Sequence, residues 1–298
     1  MIICPVCEEK IDGGSFPSLS SHFIEMERKS DSSHIMWLNG NISKSRTSGE
    51  ELSRLFENFY DYSSHGLSDW IRKRFVMKFF SSDPNPFVLE MQNPTRYTLM
   101  GYVTEHYHFL KQWVKSCAFI IAKTDHYDVQ KYELDNIKEE YFGEGGTPPH
   151  VELLLRMGES LGLPRKKVLE SEPLRKTKEA IEFWDNLSRN GHWLDAMASM
   201  HSLELIADRN VKNYGAVYSY FNPSVFDSNL PEDVKQFLRA GYDADQYHSS
   251  DALNLVEKYA RIYNMEREVQ SYFLKSSEQF YRYLESRSER GKMYEKEL

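Results

Sequence analysis

Helix-period apolar stripes, each interrupted near its centre by a side chain able to ligate a metal, constrain this chain more than any other feature. At about 100° per residue, Trp193, Leu194, Met197, Met200 and His201 share one face of the segment from His192 to Asp208, and Glu204 falls within that face. The stripe around His150 holds Leu153, Leu154, Met157 and Leu161. Around His248 it holds Ala244, Ala252, Leu255, Tyr259 and Ile262, with Asp245 and Asp251 on its shoulders. From Leu99 to Ile121 the stripe of Tyr102, Val103, Leu110, Trp113 and Cys117 is centred on His106, with Glu105 at its edge. A lone histidine on an apolar face is ordinary core, hydrogen-bonded to a carbonyl. Several carboxylates and imidazoles aimed at one interior need a shared compensating charge, because each buried alone costs several kcal/mol. A metal site is the economical solution.

From Glu50 onward such stripes run almost without interruption, with breaks at residues 81–86, 143–149, 164, 222–231 and near Gly241. Strand-like alternation is scarce. Helices on short connections, each with one apolar face, predict an all-α bundle. Its last helix, Met265 to Arg290, turns Val269, Phe273 and Phe280 inward and ends in a charged tail. No apolar run approaches the roughly 18 residues of a membrane span, and the first ten residues lack the pattern of a secretory leader, so the expectation is a cytoplasmic protein. A net charge of −8 gives no overall attraction for nucleic acid.

The first ~40 residues differ from the rest. They are turn-rich, with Asp12, Gly13 and Gly14, and too poor in apolar residues for a core of their own. Cys4 and Cys7 form a CxxC, and His22 and His34 follow, the first in a helix expected from Ser18. Two thiolates and two imidazoles are a zinc set. Residues 23–33 separate the histidines, many more than in DNA-reading fingers, and Glu25, Glu27, Arg28 and Lys29 give the helix a mixed surface. The segment resembles a one-finger C2H2-type module with a structural or protein-docking role rather than base readout. The reading is therefore a zinc module over 1–42, a polar linker, and a helical metal-binding domain over 50–298.

Within that domain, Asp245 and His248 stand three residues apart, as do His201 and Glu204, so each pair leaves one helix face. Glu140 precedes His150 across a Gly- and Pro-rich break that folds the two toward one centre. Oxygen and imidazole ligands without thiolate suit iron or manganese, with zinc not excluded by ligand type. At these residues the chain resembles the haem-oxygenase-like di-iron oxidases, relatives in fold of TenA and PqqC. The resemblance runs over roughly residues 95–285. The stretch Asn136 to Glu140, then His150 to Leu161, is similar to the family's glutamate and histidine on successive helices; Trp193 to Asp208 is similar to its helix with one bridging glutamate. Asp245-Gln-Tyr-His248 resembles the end of a His-x-x-x-Asp-x-x-His motif whose opening histidine would stand at 241, where this chain has glycine.

The resemblance implies a haem-oxygenase-like bundle holding an Fe(II) pair, with manganese an alternative at one position, that uses dioxygen to oxidise a small organic substrate. It implies Glu140, His150, Glu204, Asp245 and His248 as ligands, Glu204 bridging. Glu105 is a further candidate ligand, and His106 or His201 could replace the missing imidazole. Tyr214, Tyr218, Tyr242 and Tyr247 lie near the proposed ligands in sequence. A homodimer is left open. The rival reading is a degenerate scaffold that recruits a protein partner through its zinc module. Metal-free hydrolysis would need a nucleophilic cysteine, and Cys117, amid Ala118, Phe119 and Ile120, has no evident base.

Overall fold

The computed structural model describes residues 2–143 and 146–297, with the backbone alone over 242–249. No strand occurs among the described residues; an isolated bridge between Ile3 and Lys10 closes the turn carrying Cys4 and Cys7. The helices are α1 (Phe16–Arg28), α2 (Ser32–Asn41), α3 (Gly49–Tyr60), α4 (Leu67–Phe79), α5 (Pro86–Glu90), α6 (Arg96–Lys123), α7 (Tyr127–Phe142) and α8 (His150–Ser160). They continue as α9 (Arg165–Leu169), α10 (Arg175–Asn190), α11 (Trp193–His201), α12 (Glu232–Tyr263) and α13 (Glu266–Glu297). None of them is long and apolar enough to cross a membrane.

Polar side chains start many of these helices by accepting an N-terminal amide proton: Ser15 for α1, Asp31 for α2, Ser48 for α3, Asn85 for α5 and Thr95 for α6. Asn264, in the left-handed conformation, ends α12 and reverses the chain into α13. Helices α6 and α13 form the spine and run antiparallel, with Tyr97 beside Gly291, Gly101 beside Arg287 and Phe109 beside Phe280. Two glycines permit that approach. A Cβ on Gly101 would lie 2.2 Å from the Arg287 carbonyl oxygen, and one on Gly291 would lie 2.9 Å from that of Tyr97. Phe75, Phe79, Phe273, Phe280 and Trp184 fill the interior around this spine.

Four expectations change here. Helix α12 runs through Gly241 without a break; one glycine costs a helix only about 1 kcal/mol. The stretch from His192 to Asp208 is helical only to His201 and then tightens into a 3-10 turn over Ser202–Ile206. The last helix extends to Glu297 and its end is packed, Arg287, Gly291 and Tyr294 being buried. Ile262, placed inward by periodicity, is exposed.

Candidate metal centres and substrate cavity

At the N-terminus, Cys4 and Cys7 sit on the turn, His22 on α1 and His34 on α2, with their ligand atoms all within 4.8 Å of one another. Cys4 Sγ lies 3.4 Å from His34 Nε2, Cys7 Sγ 3.5 Å from His22 Nε2, and the two Nε2 atoms are 3.2 Å apart. A tetrahedral zinc ion demands edges of about 3.5 Å between sulfur and nitrogen and about 3.3 Å between nitrogens. The cluster fits. Both outer ring nitrogens face carboxylates, His34 Nδ1 at 2.7 Å from Asp31 and His22 Nδ1 at 3.4 Å from Glu9, which fixes the rings for coordination through Nε2. Burial pushes the Cys4 thiol up to about 12, so it ionises only against a cation. The wide histidine spacing is explained: the second histidine comes from a second helix, not from the next turns of the first.

The module does not stand apart from the bundle. Phe23 and Trp37 pack on Phe56 and Phe59 of α3, Ser271 of α13 accepts the Ile3 amide proton, and Lys275 donates to the Val6 carbonyl at 2.6 Å. The core these residues lacked locally is borrowed from α3 and α13.

Inside the bundle a cavity of about 120 Å³ lies among α6, α7, α8, the 3-10 turn after α11, α12 and α13. Glu140, His150, Glu204 and Gly241 all line it. Gly143 makes the first pair possible. Its φ of 73° is left-handed, and any Cβ there would fall 1.9 Å from the Thr147 carbonyl oxygen, so only glycine ends α7 in this turn. The chain then starts α8 at His150, whose Nδ1 lies 2.9 Å from Glu140 Oε1. Glu204 comes from the 3-10 turn after α11. Its Oε1 is 2.8 Å from His201 Nδ1, whereas its buried Oε2 has no hydrogen-bond partner. Asp245 and His248 lie outside the described residues, as do Tyr242 and Tyr247.

His201 is held between two carboxylates. Its Nε2 lies 2.9 Å from Glu133 Oε1 while its Nδ1 is held by Glu204, so both nitrogens are engaged. Burial opposes charge on this imidazole, but Glu133 and Glu204 outweigh it and raise His201 to about 10. Cys117, Glu133 and His201 also bring ligand atoms within 4.8 Å of one another. That trio reads as a hydrogen-bonded clamp: the imidazolium already bonds two carboxylates, and burial beside Glu133 holds the Cys117 thiol well above its usual range. Cys117 does not line the cavity, which removes the cysteine that hydrolysis would use.

Two other candidates also change role. Glu105 leaves α6 away from the cavity, accepting from Arg290 Nε at 2.7 Å and from the Leu174 amide at 3.1 Å, where it anchors the start of α10. His106 does line the cavity, but its Nδ1 lies 2.9 Å from an Arg287 nitrogen and 2.9 Å from Tyr283 Oη. Burial, with Arg287 alongside and His150 near, holds it well below the ordinary histidine range. A guanidinium at that distance repels a metal from the same atom. Of the tyrosines near the proposed ligands in sequence, Tyr214 donates to Asp69 at 2.8 Å; the cavity tyrosines are Tyr102 and Tyr220.

Glu133 and Arg287 were not recognised in the sequence. Glu133 stands seven residues before Glu140, two turns up the same face of α7, and Arg287 stands seven beyond Phe280 on the inward face of α13. Helical spacing carried both signals.

The architecture is that of the haem-oxygenase-like fold. A domain of that fold from Shewanella denitrificans matches with a TM-score of 0.54 at 18% identity, over 84% of this chain and 96% of that one. A TenA homologue of Pseudomonas syringae pv. tomato matches with a TM-score of 0.56 at 13% identity, over 75% and 90%. The TENA/THI-4/PQQC family model covers residues 70–290, and the chain belongs to that family. A C2H2 type zinc-finger model matches residues 1–61. Among curated relatives, the pyrroloquinoline-quinone synthase of Ectopseudomonas mendocina is 25% identical over 172 residues, 56% of this chain and 62% of that protein. The enzyme of the same name from Cronobacter sakazakii is 27% identical over 118 residues, 39% and 47%. The chain thus spans only about half to three fifths of the length of these relatives. The family includes enzymes.

Proposed function

We propose that this protein is a non-haem iron-dependent oxidase or oxygenase of small organic substrates, carrying a structural zinc ion in its N-terminal module. The observation that carries the reading is Glu204: it lines the same cavity as Glu140 and His150, and one of its buried carboxylate oxygens has no partner. Leaving such an oxygen unsatisfied costs about 1–3 kcal/mol or more, a penalty a cation removes. Glu140, His150 and Glu204 would hold iron together with Asp245 and His248, which the family resemblance adds. Bound ferrous iron would supply the electrons and Lewis acidity that dioxygen chemistry requires.

The chain's own contribution is orientation and exclusion of water. His201, clamped by Glu133, fixes Glu204 so that one oxygen is spent on the imidazolium and the other is free for a cation. Phe109, Phe237 and Phe280 give the cavity its apolar walls. The test is anaerobic loading with Fe(II), iron counting, and dioxygen consumption. Wild type should take up iron, and Glu204→Ala should lose it with the fold intact by circular dichroism. Full iron stoichiometry in Glu204→Ala would leave that carboxylate structural. Failure of the wild type to load iron would favour the scaffold reading, in which the module serves a protein partner.

A further inference from the structure

The part of the cavity wall beside His106 is built around Arg287. This side chain is 2% exposed, yet no carboxylate meets its guanidinium among the described residues. Its neighbours are Tyr220 Oη, Tyr283 Oη at 2.6 Å and His106 Nδ1 at 2.9 Å, and its Nε–H, also buried, has no acceptor. The rings of Tyr102 and Tyr283 lie 4.1 and 4.6 Å from the guanidinium carbon, which softens the burial of charge without neutralising it. The contrast with Arg290, one turn on, is informative: that arginine has Glu105. Keeping a guanidinium buried without a counter-charge costs several kcal/mol unless an anion arrives to complete it. The position is also fixed, because the Gly101 crossing brings the α13 backbone at Arg287 against α6.

We infer that the substrate is a small carboxylate, its carboxyl end bound by Arg287 and the rest of the molecule lying against the aromatic walls with its far end toward Glu140, His150 and Glu204. Arginine suits the task because its planar fork pairs with a carboxylate through two parallel hydrogen bonds. The volume limits the remainder. A cavity of about 150 Å³ accommodates benzene, so about 120 Å³ takes no aromatic ring with a carboxylate attached and admits an acid with a short aliphatic chain. The inference deepens the proposed function by naming the substrate class of the same cavity, but anion binding at Arg287 does not depend on which metal, if any, Glu140, His150 and Glu204 hold.

The test titrates the full-length protein, as isolated, metal-stripped in the bundle and Fe(II)-loaded, with butyrate and with butyramide as its neutral counterpart, read by calorimetry or by tryptophan fluorescence. Wild type should prefer the acid by about 10- to 100-fold, the range of a charge-assisted hydrogen bond, in both metal states. Arg287→Gln should abolish the preference, and Arg287→Lys should retain part of it, which separates lost recognition from lost folding; circular dichroism checks each variant. A preference seen only with iron bound and unchanged in Arg287→Gln would mean that the metal holds the carboxylate, and would overturn the inference while leaving the iron reading intact. An Arg287-dependent preference in a protein that never loads iron would uphold the inference and sink the oxidase reading. Equal binding of acid and amide in every state overturns it outright.

Discussion

A histidine placed at position 241 enters space that the fold leaves open. A Cβ built there meets no atom within 4 Å, so the first carbon of a histidine at this position is not overpacked. Because α12 is continuous through this position, replacing glycine should also gain about 0.3–0.5 kcal/mol of helix propensity. Stability is therefore expected to hold or rise slightly. Gly241 lines the cavity with Glu140, His150 and Glu204, and the family resemblance places a metal-binding histidine at this point in the helix.

Even residues that merely support a ligand change metal affinity by about 10–100-fold, so a new imidazole in reach of the second ion should tighten it by at least about tenfold. The assay is anaerobic competition of Fe(II) or Mn(II) against a metal indicator, fitted for two sites. Wild type is expected to hold one ion tightly and one weakly, and Gly241→His to hold both tightly. His201→Ala serves as the companion: since His201 orients Glu204 rather than ligating, its loss should weaken both ions together. Two equally tight ions in wild type, or a second-site affinity unmoved in a well-folded Gly241→His, would refute the reasoning.

Further expectations follow from other parts of the molecule. Cys7→Ser should release the N-terminal zinc by elemental analysis and expose residues 2–41 to proteolysis while bundle helicity persists; zinc retained at full stoichiometry would exclude the four-residue site. Gly101→Ala should destabilise by about 3 kcal/mol or more, because the new methyl group would lie 2.2 Å from a backbone oxygen of α13, whereas Gly40→Ala, with nothing within 4 Å, should not; thermal melts of the two compare them directly. Burial pushes the Asp195 carboxyl up to about 7, with Glu268 adding repulsion. The folded state then keeps this proton longer than the unfolded chain, so stability falls as pH rises from about 4 to about 7. Asp195→Asn should stabilise on the order of 2 kcal/mol more at pH 8 than at pH 5, and an equal gain at both would remove Asp195 as the cause.

What the sequence displayed was periodicity, and periodicity reports which way a side chain faces, not what it meets. The stripe on α6 placed Tyr102, Val103, Leu110, Trp113 and Cys117 in the core, where they are. It could not separate Glu105 from its neighbour His106, because one residue is 100° of helix, enough to send one to Arg290 and the other into the cavity. Gly241 was legible for the converse reason: register on a continuous helix survives the loss of the side chain. His201 was the hardest case, since a histidine three residues from a glutamate has the same spacing whether it shares a metal with it or donates a hydrogen bond to it. Only Glu133, from another helix, decides between them by occupying the second nitrogen.

The same distinction explains why the cavity wall carries groups of opposite character. The carboxylates of α7 and the turn after α11 converge with no basic side chain among the cavity-lining residues except Arg287, which stands beside His106 and the tyrosines. Were the interior simply a collapsed core, the cheapest arrangement would let Arg287 reach Glu204 or Glu140 and cancel both charges. Instead Glu204 takes His201, Glu140 takes His150, and the guanidinium is left with neutral partners. Glu204 and Arg287, each with one buried polar atom short of a partner, are costly to bury unless something else completes them. The proposed cation at Glu204 and the inferred carboxylate at Arg287 would do so together, and a single substrate reaching both would be oriented by the pair before any chemistry began.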